Sequence, residues 1–243
     1  MRARDLSGKS DNMLKELIDK YYLDRQRDRE QHHFYITDAG KCSRAIFFKF
    51  KNVPREKMEA RILRMFDHGD YMQMQILSTL FSLGIVRASE ITIPPQELIS
   101  GRADAIVTLN NELYVVDFKS MNSMIFKGLS QPKEDNVNQI QLYLHFFKIP
   151  KGILLYVNKN SLELKEFLIE YDSVRVKKLL SDLSNLKTKI DSNTVPLRIP
   201  GYPGDWQCQY CQFKEICQMA GKGELSFSEF QKKIEAQNKV SEA

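Results

Sequence analysis

The sequence predicts an α/β fold in which a mixed central sheet is flanked by helices. Three observations predict it. Short alternating apolar runs recur through the middle of the chain, helical stretches with apolar residues at three- and four-residue spacing surround them, and 243 residues of 42% hydrophobic composition suffice for one sizeable core. No internal repeat is present.

Residues 12–31 read as a helix, with Met13, Leu14, Leu17, Ile18, Tyr21 and Tyr22 forming an apolar stripe before charges take over. Upstream, Gly8-Lys9-Ser10 matches only the end of a phosphate-binding loop, because Ala3 stands where the first glycine belongs and no strand precedes it. A nucleotide-driven motor is therefore not expected. Thr37 is placed to cap a helix from Asp38 to about Phe50, and Pro54 interrupts before a second helical stretch, Arg55 to Leu83, ended by Gly84. His68 lies in the middle of that stretch. Strands are expected at Ile91 to Ile93, on both sides of Asn110-Asn111, at 152–157 and at 162–169, with helices at 137–147 and 173–190. Residues 193–206, carrying Pro196, Pro200 and Pro203, read as an extended loop, and the polar segment after Gly221 as a short, loosely attached helix. The expected division is an N-terminal helical extension (1–34), a main domain (35–221) and a polar C-terminal tail (222–243).

The first residues have no apolar segment behind their charges, and no run approaches the roughly 18 apolar residues of a membrane span, so a soluble, cytoplasmic protein is expected. The net charge of +5 is too small to argue a polyanionic partner by itself. Its distribution says more. Between Lys41 and Arg64 stand eight basic residues, Arg44, Lys49 and Lys51 among them, against only Glu56 and Glu59, with Phe47, Phe48 and Phe50 interleaved. Phosphate-binding cations beside stacking rings suit nucleic acid, and a solvated helix face whose phenylalanines enter the core suits the same pattern.

The chemistry-bearing stretch runs from Gly101 to Lys119. Two apolar runs flank Asn110 and Asn111, residues that tolerate the positive φ of a tight hairpin turn. Asp104 lies on the first strand, and Asp117 and Lys119, two apart, leave the same face of the second. Two carboxylates and an ammonium in one patch can hold Mg²⁺ or Mn²⁺ on hard oxygen ligands while the lysine orients a water or offsets phosphate charge. An exposed strand face carrying an ion pair fits as well. Downstream, Gln139 and Tyr143 are four apart and share one helix face, free of the packing residues Ile140, Leu144 and Phe147.

The cysteines are Cys42 and a compact Cys208, Cys211, Cys217 in the pattern C-x2-C-x5-C. A C-x2-C turn presents two thiolates to one centre, and a shared four-cysteine site uses every thiol of the chain. Zinc and an iron-sulfur cluster both accept four thiolates. Either would close a very long loop, and the centre is expected to be structural and remote from the hydrolytic chemistry.

Taken in order, these elements resemble the RecB-like branch of the PD-(D/E)XK nucleases, in the iron-sulfur type found in CRISPR-associated Cas family four exonucleases and in AddAB-type helicase-nucleases. The resemblance spans about Thr37 to Cys217: a histidine on an upstream helix (His68), G-x-x-D (Gly101 to Asp104), D-x-K (Asp117, Lys119), Q-x-x-x-Y (Gln139, Tyr143) and the four cysteines. It implies a restriction-endonuclease-like sheet and a metal-dependent DNA nuclease, an exonuclease on single strands, working in CRISPR adaptation or recombination and repair. It implies His68, Asp104, Asp117 and the Phe118 carbonyl as ligands of Mn²⁺ or Mg²⁺, Lys119 as the catalytic lysine, and Gln139 and Tyr143 as positioning the DNA strand and that lysine. It further implies a [4Fe-4S] cluster on Cys42, Cys208, Cys211 and Cys217, and DNA, CRISPR adaptation proteins or a helicase subunit as partners. The N-terminal helix and polar tail are not required by the pattern and are candidates for docking such a partner. Two other readings stand beside it: a non-catalytic nucleic-acid-binding scaffold in a larger complex, and a zinc-stabilised interaction module.

Overall fold

The computed structural model describes residues 13–26, 30–93 and 98–241, so Gly8-Lys9-Ser10 lies outside the described residues. In chain order the elements are α1 (Met13–Asp24), β1 (Phe34–Tyr35), α2 (Ser43–Phe50), α3 (Ala60–Ser82), β2 (Val86–Thr92), β3 (Ile99–Ser100), β4 (Arg102–Leu109), β5 (Glu112–Met121) and α4 (Ser123–Lys127). The second half adds α5 (Glu134–Phe147), β6 (Lys151–Asn158), β7 (Leu164–Glu170), α6 (Ser173–Asp191), β8 (Thr194–Val195), α7 (Trp206–Gln209), α8 (Lys214–Met219), β9 (Leu225–Ser226) and α9 (Phe227–Ser241).

A five-stranded sheet in the order β2-β4-β5-β6-β7 forms the centre, with β5 and β6 parallel and the other neighbours antiparallel. The expected hairpin is present, and both asparagines of its turn adopt positive φ, 50° at Asn110 and 63° at Asn111. A parallel neighbour needs a crossover, which α4 and α5 supply. Gly152 lets α5 lie directly on β6, since a Cβ there would come within 2.7 Å of Ile140 Cδ1. Behind α5, α6 buries Leu179, Leu183, Leu186 and Ile190, a stripe at helical spacing, and Asp172 caps its first turn by accepting the N–H groups of Val174 and Arg175. On the opposite face, Ile76, Leu77 and Leu80 of α3 cover a smaller core of Ala105, Val107, Val116 and Phe118. The sheet is therefore sandwiched between helices, as the sequence predicts.

Three expectations are corrected by tertiary contacts. The helix expected from Asp38 is instead a single 3₁₀ turn (Ile36–Asp38) followed by α2, because Gly40 takes a φ of 74° and the Asn138 amide packs where its Cβ would stand. The helix expected from Arg55 begins at Ala60: the N–H of Glu56 donates to the Gln212 carbonyl and Gln212 Nε2 donates back to the Glu56 carbonyl. The tail is not loosely attached. Its β9 pairs with β8, inside the expected loop, and Phe230 is fully buried, stacked on Phe48 at 5.0 Å. At the other end α1 leans on α3 through Arg64 and Asp19, and Met13, Leu14 and Leu17 of its apolar stripe stay exposed.

Candidate active site

The antiparallel register of β4 and β5 runs through Ala105↔Val116, and one step further sets Asp104 beside Asp117. Asp104 Oδ2 accepts the N–H of Phe118 at 2.7 Å, which fixes its carboxylate against β5. Asp117 is 1% exposed. Its Oδ2 lies 2.6 Å from Lys119 Nζ, yet among the described residues that oxygen has no well-aligned hydrogen bond. It is thus a buried anionic oxygen with an ion-pair neighbour but an unused lone pair, which a hard cation would satisfy.

Burial is the main cause that pushes the Asp104 carboxyl up to about 7; the Asp117 charge adds to it, and Lys119 and the Phe118 N–H oppose it. Burial likewise raises Asp117, against the pull of Lys119. At Lys119 burial works to lower the ammonium's pKa, but Asp117 by charge and contact, with Asp104 behind it, leaves it raised. Two carboxyls that resist ionising together and a lysine that stays charged make a site short of one positive charge.

Gln139 and Tyr143 face this site from α5. Tyr143 is buried, and its hydroxyl donates to the Arg102 carbonyl at 2.6 Å while accepting from Gln139 Nε2 at 3.4 Å. The pair therefore anchors the start of β4, two residues before Asp104, and acts on the carboxylates through the backbone. Tyr156 carries no sequence signal at all. The parallel register sets it beside Lys119, and its hydroxyl accepts from the Lys133 N–H and from Asn136 Nδ2.

His68 is not grouped with the carboxylates. It is an exposed residue of α3, which packs on the other face of the sheet through Ile76, Leu77 and Leu80 and approaches β5 at Gly69, where a Cβ would lie 3.3 Å from Ser120 Oγ. Among the described residues no three His, Cys, Asp or Glu side chains converge to hold one metal ion.

Arg44 is corrected outright. Its side chain is 1% exposed and donates to the carbonyls of Pro196 (2.6 Å), Gly221 (2.7 Å) and Gly223 (2.8 Å), so it staples the C-terminal segment and cannot meet DNA phosphates. Lys49 pairs with buried Asp38 at 3.4 Å, and Lys51 sits over the Phe47 ring at 5.8 Å. Phe47 and Phe48 are core residues, so the packing alternative holds for them.

The four cysteines come together across the chain. All are free thiols lining one cavity of about 360 Å³, and burial raises the thiols of Cys42, Cys208 and Cys211. Arg44 Nη1 lies 3.8 Å from Cys217 Sγ, a cation beside a site that thiolates would charge negatively. The Cys42 N–H donates to Gln207 Oε1 at 2.9 Å, tying the two ends of the centre together. The expected remoteness from the active site does not hold. Lys41, Trp206 and Gln207 line both the cysteine cavity and a cleft that contains Lys119.

A family model for the PD-(D/E)XK nuclease superfamily matches residues 4–218. The chain belongs to the PD-(D/E)XK nuclease superfamily. Among curated proteins, the CRISPR-associated exonuclease Cas4 of Saccharolobus solfataricus is 26% identical over 198 residues, covering 78% of this chain and 89% of that protein. Among solved structures, SSO0001 aligns with a TM-score of 0.55 at 24% identity over 84% of this chain and 96% of its own. LHK-Exo in complex with dAMP aligns with a TM-score of 0.50 at 12% identity, over 72% and 92% respectively. Both likenesses concern the fold. Among the described residues no helix is long and apolar enough to cross a membrane.

Proposed function

We propose that this nuclease-superfamily chain is a divalent-metal-dependent deoxyribonuclease that digests single-stranded DNA from an end, in the DNA processing of CRISPR adaptation. The observation that carries the reading is the unsatisfied, buried Oδ2 of Asp117 between Asp104 and Lys119. The similarity to a CRISPR-associated exonuclease supports digestion from an end and the CRISPR association.

In this reading Asp104, Asp117 and the Phe118 carbonyl would hold Mn²⁺ or Mg²⁺, and His68, exposed on α3, is not needed as a ligand. The bound cation would supply Lewis acidity toward the phosphate and an activated water. Lys119, kept charged by Asp117, would offset the charge that develops on the phosphate oxygens. Gln139 and Tyr143 hold β4, and through it Asp104, in register.

Cys42, Cys208, Cys211 and Cys217 are the proposed ligands of a [4Fe-4S] cluster. The four thiols line one cavity, and a cluster would offer each thiolate its own iron.

The test uses protein purified without oxygen, brown and absorbing near ~400 nm if the cluster is present. Linear and circular single-stranded DNA are incubated with it and Mn²⁺, beside Lys119→Ala. Loss of linear-strand digestion in the variant, with the circle intact in both, is the expected result. Cleavage of neither substrate by cluster-loaded protein would overturn the reading and assign the fold to a nucleic-acid-binding scaffold.

A further inference from the structure

Lys119 and Ser120 stand where two clefts meet. One, of about 670 Å³, runs along α3 past Phe66 and Gly69; the other, of about 610 Å³, runs toward the cysteine centre past Lys133, Asn138 and Trp206. A polymer cut at Lys119 must occupy the ground on either side of the cut bond. The second cleft carries the features of a strand-holding path. Trp206, the chain's one tryptophan, is 53% exposed on its rim, and Lys41 Nζ lies 4.6 Å from its ring centroid. A large, half-exposed indole costs solvation unless something covers it.

The platform is built and held. Asp205 caps α7 by accepting the Gln207 N–H at 2.8 Å, and Gln207 Oε1 accepts the N–H of Cys42, so Trp206 is fixed by the same segment that carries the cysteine centre. Lys41 is fixed from the other side by its ion pair with Asp135, at the start of α5. Lys133 lines the cleft as a cation for a phosphate backbone, Lys41 and Lys119 stand beside it already paired with Asp135 and Asp117, and Glu134 is taken up by Arg175.

We propose that Trp206, braced by Lys41, is a base-stacking platform that seats one unpaired nucleotide of a single strand beside the bond presented to Lys119. The assignment rests on the nuclease reading and adds the residue that selects unpaired bases, since an indole face can receive a base only when that base has left its duplex. It also gives the cysteine centre a role in substrate binding, because Gln207 and Cys42 set where Trp206 stands.

Anisotropy of fluorescein-labelled twelve-nucleotide strands, in EDTA to withhold cleavage, measures the affinity of the full-length, cluster-loaded protein. Two strands are compared, oligothymidylate and the same backbone without bases, with wild type, Trp206→Phe and Trp206→Ala. The expected result is a loss of about fivefold to about 150-fold for oligothymidylate with Trp206→Ala, most of it restored by Trp206→Phe, and no difference among the three proteins for the baseless strand. Equal affinity of wild type and Trp206→Ala for oligothymidylate overturns the proposal, and so does an equal loss on both strands. Because binding is read without cleavage, these outcomes are independent of the Lys119→Ala digestion test: stacking without Lys119-dependent cleavage would sink the nuclease reading alone.

Discussion

Replacing Asp104 by asparagine separates the electrostatic cost of the carboxylate pair from its use. The Asp104 carboxyl, ordinarily near 3.8, is held at about 7 in the folded chain, chiefly by burial and then by Asp117. Between those values the folded chain keeps a proton that the unfolded chain has released. Stability contributed by this group is therefore complete below about pH 4, falls as pH rises, and levels off above about pH 7. Three pH units at about 1.4 kcal/mol each set an upper limit of about 4 kcal/mol, reduced because Asp117 competes for the same proton. Asparagine is neutral throughout, and its side-chain oxygen can still accept the Phe118 N–H. In EDTA, Asp104→Asn should thus melt above wild type at pH 8, by about 5–15 °C, and match it near pH 4.5, while abolishing metal-dependent cleavage. Thermal unfolding followed by circular dichroism at one heating rate checks this. A wild-type melting temperature that does not fall between pH 5 and 8, or an asparagine variant less stable than wild type at pH 8, would refute the reasoning.

Arg44→Met removes the donors to the buried Pro196 carbonyl and to the more exposed carbonyls of Gly221, Lys222 and Gly223, so a loss of about 2–4 kcal/mol is expected, read as a lower denaturant midpoint and faster proteolysis after Val195, with the salt dependence of DNA binding unchanged. Phe230→Ala empties a fully buried site against Phe48 and should cost about 3–5 kcal/mol in the same unfolding assay, whereas a loosely attached tail would lose nothing.

Much of the site was legible in the sequence because it obeys local rules. Period-two alternation puts Asp117 and Lys119 on one face, two asparagines write the turn that brings Asp104 back beside them, and a four-residue spacing puts Gln139 and Tyr143 on one side of α5. The central strands and the α5 and α6 helices follow from the same periodicities, and C-x2-C-x5-C announces a centre wherever it folds. What a residue does once it arrives is another matter. Arg44 reads as a nucleic-acid contact and Phe47 as either a contact or a core residue, because charge and aromaticity look alike on a surface and in a core; only the docking of the C-terminal segment makes one a buried staple and the other a packing residue. Tyr156 reaches Lys119 solely through the parallel register of β5 and β6, which no local pattern encodes. The wall shared by the cysteine centre and the Lys119 cleft depends on Cys42 meeting Gln207 across 165 positions of chain. Sequence by itself determined the short-range geometry, since backbone periodicity and turn chemistry act over a few residues. Burial, partner choice and the joining of the two centres were decided by the tertiary structure, because they depend on which distant surfaces exclude water from one another.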